Sequence, residues 1–159
     1  MKQQDRKRLL IALFVVYILF LLKAILFKYS FYYYVYELKN WSLHVVHTGF
    51  QMANWHPFRS IRMYLLYYDK GIRSFENLAG NVSLFIPMGI FVPSAWEKLN
   101  KWDWTLLVGG LISFGLEVLQ LITGFGFFDV DDILLNCLGT MIGFGGYALF
   151  RRYLNRDAE

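Results

Sequence analysis

Long apolar runs along this chain alternate with short charged ones. Residues 9–27 are nineteen positions interrupted only by Lys23, and they follow Lys2, Arg6, Lys7 and Arg8. At ~1.5 Å per residue such a run covers about 28 Å, close to the ~30 Å hydrocarbon core of a bilayer. A secretory signal would have a shorter apolar part of ~7–15 residues and a small-residue cleavage site. Here the run ends Ala24-Ile25-Leu26-Phe27-Lys28, and the pattern predicts an uncleaved anchor. Further runs cover residues 78–96, with Asn81, Pro87 and Pro93; residues 104–123, with Glu117 and Gln120; and residues 133–150, with Asn136 and several glycines. Proline and glycine are tolerated in spans because neighbouring helices satisfy the freed backbone groups. The pattern predicts an all-α integral membrane protein, a bundle of four transmembrane helices in a single domain over residues 1–159.

The segment between spans one and two, residues 28–74, is too polar to span. It is also too aromatic for a solvated linker, with Phe31-Tyr32-Tyr33-Tyr34, Tyr36, Trp41 and Trp55. Two readings fit it equally: one or two amphipathic helices lying in the outer interface with rings at headgroup depth, or a cap packed over the bundle. Either makes it an extracytoplasmic segment.

Composition supports the membrane assignment. Of 159 residues, 57% are apolar and 18% charged, where soluble domains have about 45–50% and about 25%. A globule this small buries too little of its surface to hide that hydrocarbon from water. The net charge of +4 comes from sixteen scattered Lys and Arg, which excludes a nucleic-acid partner and instead sets topology. With the N-terminus inside, nine of them are cytoplasmic: four in the N-terminal tail, Lys98 and Lys101 in the second loop, and three Arg in the C-terminal tail. The long first loop has six and the third loop, residues 124–132, has none. Both termini are therefore expected in the cytoplasm. Cys137 is the only cysteine, so no intrachain disulfide or Cys-based metal site can form.

Polar side chains inside a span are costly and mark candidate sites. On this topology Glu117 lies about 20 Å from the inner edge of span three, with Gln120 one turn further out on the same face. Asn136 and Asn81 fall at similar depth on spans four and two, beneath Asp129-Val130-Asp131-Asp132. The groups converge in the outer third of the membrane. Capping of span four explains Asp129, since aspartate accepts from free N–H groups and favours the positive end of the helix dipole. Three acids in four residues exceed what a cap needs, which leaves Asp131, Asp132 and Glu117 as ligand-binding candidates. Asn81 and Asn136 read first as interhelical glue. If a divalent cation binds, the oxygen ligands are Asp129, Asp131, Asp132 and Glu117. His44 and His47 have no third ligand nearby. Gly139 and Gly143 form a close-packing face, extended by Gly145 and Gly146, and with Gly109 and Ser113 it predicts tight contact between spans three and four. The sequence contains no phosphate loop, nucleophile elbow or zinc-protease helix, so no motif identifies a catalytic residue, and no resident cofactor is expected beyond a possible divalent cation.

Several strings together resemble the VanZ family: Asn54-Trp55-His56-Pro57-Phe58-Arg59-Ser60-Ile61; Asn81-Val82-Ser83-Leu84-Phe85-Ile86-Pro87-Met88-Gly89 with Pro93; Glu117-x-x-Gln120; and Phe128-Asp129-Val130-Asp131-Asp132-Ile133-Leu134-Leu135-Asn136-x-x-Gly139-x-x-x-Gly143. The resemblance covers residues 54–147 and brings Arg59 among the candidate ligand-binding residues. It implies a multi-pass protein of the bacterial cell membrane whose namesake gives low-level resistance to the glycopeptide teicoplanin. Some relatives have a basic residue ahead of the acidic string where this chain has Gly126, which leaves the acids freer to bind a cation. The leading expectation is an outer-leaflet crevice of Asp131, Asp132, Glu117 and Gln120 that recognises an acylated glycopeptide or a lipid-linked envelope precursor among the membrane lipids. The alternatives are an intramembrane enzyme on an envelope lipid, with Glu117 or Asp132 as general base, and a non-catalytic subunit docking a membrane protein partner.

Overall fold

The computed structural model describes residues 3–66 and 73–156. Seven α-helices follow in order: α1 (Gln3–Leu26), α2 (Phe31–Lys39), α3 (Leu43–Met52), α4 (Arg59–Leu66), α5 (Arg73–Ala95), α6 (Trp102–Thr123) and α7 (Val130–Arg156). Four are long and apolar enough to cross a membrane: α1, the Glu76–Ala95 part of α5, α6 and α7. They match the four expected spans and extend beyond them at the polar ends, α1 by one and a half turns into the basic N-terminal tail. Their outer faces carry large apolar side chains, among them Val16 at 63% exposure and Leu111 at 61%. Lipid, not water, suits such a surface.

The four long helices run alternately up and down. On α1 and α5, Phe14 meets Phe91 and Trp96, and Tyr17 donates to the Leu84 carbonyl at 2.7 Å, so the pair is antiparallel. On α6 and α7, Gly109 faces Thr140 and Ser113 faces Asn136, again antiparallel. The pair α5 and α7 is parallel: Gly139 lies on the Val82 carbonyl and Gly143 on the Ile86 carbonyl. A Cβ at Gly89, Gly139 or Gly143 would run into the backbone of the opposite helix. The Gly139/Gly143 face therefore receives α5, not α6. Contact between α6 and α7 uses Gly109 against the Thr140 side chain, while Gly145 and Gly146 face open space. Helix α1 closes the other side through Tyr17, Leu21, Ile25 and Leu26, packed on Phe85, Met88, Val92 and Leu116.

The segment between α1 and α5 folds into the three short helices α2, α3 and α4 at one end of the bundle. Two of the interface rings anchor there: Trp41 donates to the Ile122 carbonyl at 2.8 Å and Tyr33 to the Gly124 carbonyl at 3.1 Å. Tyr34 packs edge-on against Phe125, with centroids 4.8 Å apart. Others stay outside, Phe31 at 83% exposure and Tyr32 at 79%, so the segment has a packed side and an aromatic free side. Residues 67–72 of the expected 28–74 segment lie outside the described residues.

Leucine at Gly143 should break the α5–α7 contact, because no flexible atom is available to yield. Size-exclusion chromatography in detergent should show aggregation or loss of Gly143→Leu, and a monodisperse Gly145→Leu. Equal behaviour of the two would contradict the close approach described here.

Candidate functional site

Residues 53–58 connect α3 to α4 and run beside the loop between α6 and α7. Asn54 forms a single parallel bridge with Asp129. Its N–H donates to the Phe128 carbonyl at 2.8 Å and its carbonyl accepts from Val130 at 3.1 Å. The Asn54 Oδ1 accepts from the His56 N–H at 3.2 Å, the short-range turn that asparagine favours. Beyond Pro57, Phe58 adopts a left-handed backbone at φ 66°, an unfavourable setting for a residue with a Cβ. That turn aims the first N–H groups of α4 at Asp131.

Asp131 answers them. Its Oδ1 accepts from the Phe58 N–H at 2.5 Å, and its Oδ2 from Ser60 at 2.6 Å and Ile61 at 3.1 Å. The carboxylate is fully buried. It sits on the positive end of the α4 dipole and satisfies N–H groups with no partner inside that helix. Asp129 caps α7, accepting the Asp131 N–H at 2.8 Å, and also takes the Asn54 side-chain amide at 2.8 Å and the Ser60 hydroxyl at 2.5 Å. Glu117 on α6 accepts the Asp129 N–H at 2.9 Å. Asp132 accepts from the Asn81 amide of α5 at 2.5 Å. Three carboxylates at the start of α7 thus hold the Asn54 segment, α4 and α5 to it, and Glu117 ties that start to α6.

Gln120 takes no part in that set; it donates to the Ile25 carbonyl at the end of α1, at 3.2 Å. Gly126 lies against its side chain, where a Cβ would come within 2.9 Å of Nε2, so a larger residue there would displace Gln120. Deeper in the bundle Asn136 donates to Ser113 Oγ at 2.8 Å, and Thr140 donates to the Asn136 carbonyl at 2.9 Å. The Oδ1 of Asn136 is buried without a hydrogen-bond partner among the described residues. On α4, burial pushes the Tyr64 phenol above its usual range, and the nearby negative charges of Asp132 and Asp129 add to the effect.

The expected convergence of Glu117, Asp129, Asp131, Asp132 and Asn81 is present, but among the described residues Glu117 and Asp131 are buried and not open in a crevice. Glu117 and Gln120 are each 2% exposed and Asp131 0%. The acids do not become free for lack of a basic partner at Gly126; backbone and amide N–H donors fill that place. Among the described residues no group of three or more His, Cys, Asp or Glu is placed to hold a metal ion. Arg59 is exposed and stands apart from the acids, in a groove of about 470 Å³ lined by Pro57, Phe58, Arg59, Arg62, Met63 and Leu66. Two participants escaped the sequence reading as site residues, Asn54 and Ser60. Their bonds to Asp129 cross 75 and 69 positions, a distance on which local spacing is silent.

A family model described as VanZ/LLP1 matches residues 14–151 of the chain. The Protein VanZ of Enterococcus faecium is 26% identical over 86 residues, which cover 52% of this chain and 51% of that protein. The chain therefore matches about half the length of this curated relative. No solved structure matches it.

Removing the Asp131 carboxylate strands three N–H donors at once. Charge-assisted bonds of this kind contribute about 1.5–3 kcal/mol each and are not additive, so Asp131→Ala should cost at least about 2 kcal/mol. Asp132→Asn replaces one acceptor facing an amide and should cost about 1 kcal/mol. Hydrogen exchange at Phe58, Ser60 and Ile61 should rise strongly in Asp131→Ala and little in Asp132→Asn. Unchanged protection of those amides in Asp131→Ala would sink the capping assignment.

Proposed function

The chain belongs to the VanZ/LLP1 family, and from that premise we propose that it is a bacterial cell-membrane protein that lowers susceptibility to lipoglycopeptide antibiotics such as teicoplanin. In this reading both termini are cytoplasmic and the end carrying α2, α3 and α4 faces outward. A glycopeptide with a fatty-acyl chain is held at the outer leaflet, next to that face. The protein excludes or binds the acylated molecule, or the lipid-linked envelope precursor it seeks, and no bond is made or broken.

The observation that supports this most directly is the set of carboxylates gathering residues 54–61 and α4 against the starts of α5 and α7. Burying Glu117 and Asp131, with Asp129 and Asp132 half-buried beside them, is expensive unless each is well bonded. A bundle held by its glycine contacts has no need of such an arrangement for packing alone. Its effect is to fix one short helix, with its exposed Arg59, Arg62 and apolar side chains, at one end of the bundle, in this reading the surface level of the membrane. The acids act on the ligand through that helix, which replaces the expected acidic crevice with an acid-supported basic and apolar face.

Growth inhibition by teicoplanin and vancomycin in a susceptible Gram-positive host tests the reading. Expression of the wild type should raise the inhibitory concentration of teicoplanin with little effect on vancomycin. Asp131→Ala, and the double change Glu117→Gln with Asp132→Asn, should abolish or reduce that shift at matched membrane abundance. A teicoplanin response indifferent to expressing the protein would remove the resistance role.

A further inference from the structure

Helix α4 combines two chemistries on one short surface. Arg59 and Arg62 are three positions apart, hence neighbours on one side of the helix, and both are exposed. Around them lie Pro57, Phe58, Met63 and Leu66, which complete the groove of about 470 Å³. Phe58 is 66% exposed and Leu66 68%. Among the described residues the lining holds two guanidinium groups and no carboxylate. The nearby acids Asp129 and Asp131 are turned inward onto N–H and O–H donors.

We propose that Arg59 and Arg62, with Phe58, Met63 and Leu66, bind the phosphate headgroup of an anionic membrane phospholipid. Guanidinium groups match phosphate oxygens with paired N–H donors and keep their charge in a partly dry setting. An occupant must also cover exposed hydrocarbon, which free phosphate cannot do and a lipid does with the first part of its acyl chains. The position is right for it. Helix α4 sits where α1 ends and α5 and α7 begin, at the level of the headgroups on whichever side that end faces, and short helices with basic and apolar sides lie at that depth. The free N–H groups at the start of α4 are taken by Asp131, so the two side chains alone receive the phosphate. Asp131 is in this sense a positioning residue, holding both arginines at a fixed angle to the bundle. The site rests on the groove and not on the resistance reading, and each stands or falls separately.

Native mass spectrometry of the full-length protein in detergent tests the proposal, with phosphatidylglycerol, phosphatidylcholine and inorganic phosphate as the three probes. Phosphatidylglycerol should give a tight adduct that phosphatidylcholine does not match and inorganic phosphate does not displace. Arg59→Gln with Arg62→Gln should weaken it by roughly tenfold or more, as expected for loss of charge-assisted bonds. Met63→Ser with Leu66→Ser should weaken it while both arginines remain, and Arg151→Gln with Arg152→Gln, at the other end of the bundle, should leave the tightest adduct in place. All four side chains of the first two variants are on the surface, and an unchanged size-exclusion profile confirms the fold. An adduct that survives the double arginine change, equal binding of phosphatidylcholine, or displacement by inorganic phosphate would each overturn the lipid site. So would a doubled protein mass lost in the arginine variant, which would assign α4 to a second copy of the chain. Lipid binding without any teicoplanin phenotype keeps this site and rejects the resistance role; the reverse result does the opposite.

Discussion

A buried carboxylate must find donors, and in this molecule that requirement organises one whole end of the bundle. Asp131 is shut off from solvent, and its partners are backbone N–H groups of α4 and of Phe58 just before it, more than seventy positions earlier for two of the three. Neither side could be buried alone. The helix start would leave buried N–H groups unsatisfied, and the aspartate would be an unpaired charge. Together they offset each other and also bear the left-handed Phe58 turn, a strain of about 1–3 kcal/mol for a residue with a side chain. Asp129, Asp132 and Glu117 extend the same principle to the Asn54 strand pair, to α5 and to α6.

Below that end the bundle is held differently. Interhelical packing in lipid has no hydrophobic driving force and depends on close fit. Gly89, Gly139 and Gly143 let the parallel helices α5 and α7 touch backbone to backbone. That contact brings Asn81 to the level of Asp132. Packing at the glycines and polar bonding at the loop therefore support each other. The hydroxyls and amides of Ser113, Asn136 and Thr140 continue the polar line into the α6–α7 seam, where Asn136 Oδ1 has no partner among the described residues.

The chemistry presented outward is the reverse of the chemistry within. Acids face in and are satisfied; arginines and apolar side chains face out on α4. The arrangement makes the acidic string a structural support for a basic surface. Arg59, brought among the candidates by its place in the family's string, is the one member of that group with an exposed side chain.

Which helices are long and apolar enough to cross a membrane was legible in the sequence, because bilayer thickness sets a minimum apolar length that four runs meet and the polar segment between the first two does not. That Glu117 and Asn81 would meet the Asp129–Asp132 string at one end of the bundle was legible too, since the rise per residue is fixed along a helix; Asn136 instead lies deeper, on Ser113. Asp129 as a cap was readable from its position just ahead of a helix. Tertiary structure alone decided the rest. Nothing in a glycine pattern says which neighbour it admits, and the Gly139/Gly143 face chose α5 over α6. An aspartate string looks the same whether its oxygens meet a cation, a ligand or N–H groups from a distant loop. The sequence by itself determined which groups would be buried at one end of the membrane, by length and periodicity. Only the folded chain decided what satisfied them, because those donors belong to a helix start some seventy residues away, brought there by the crossing of α5 and α7.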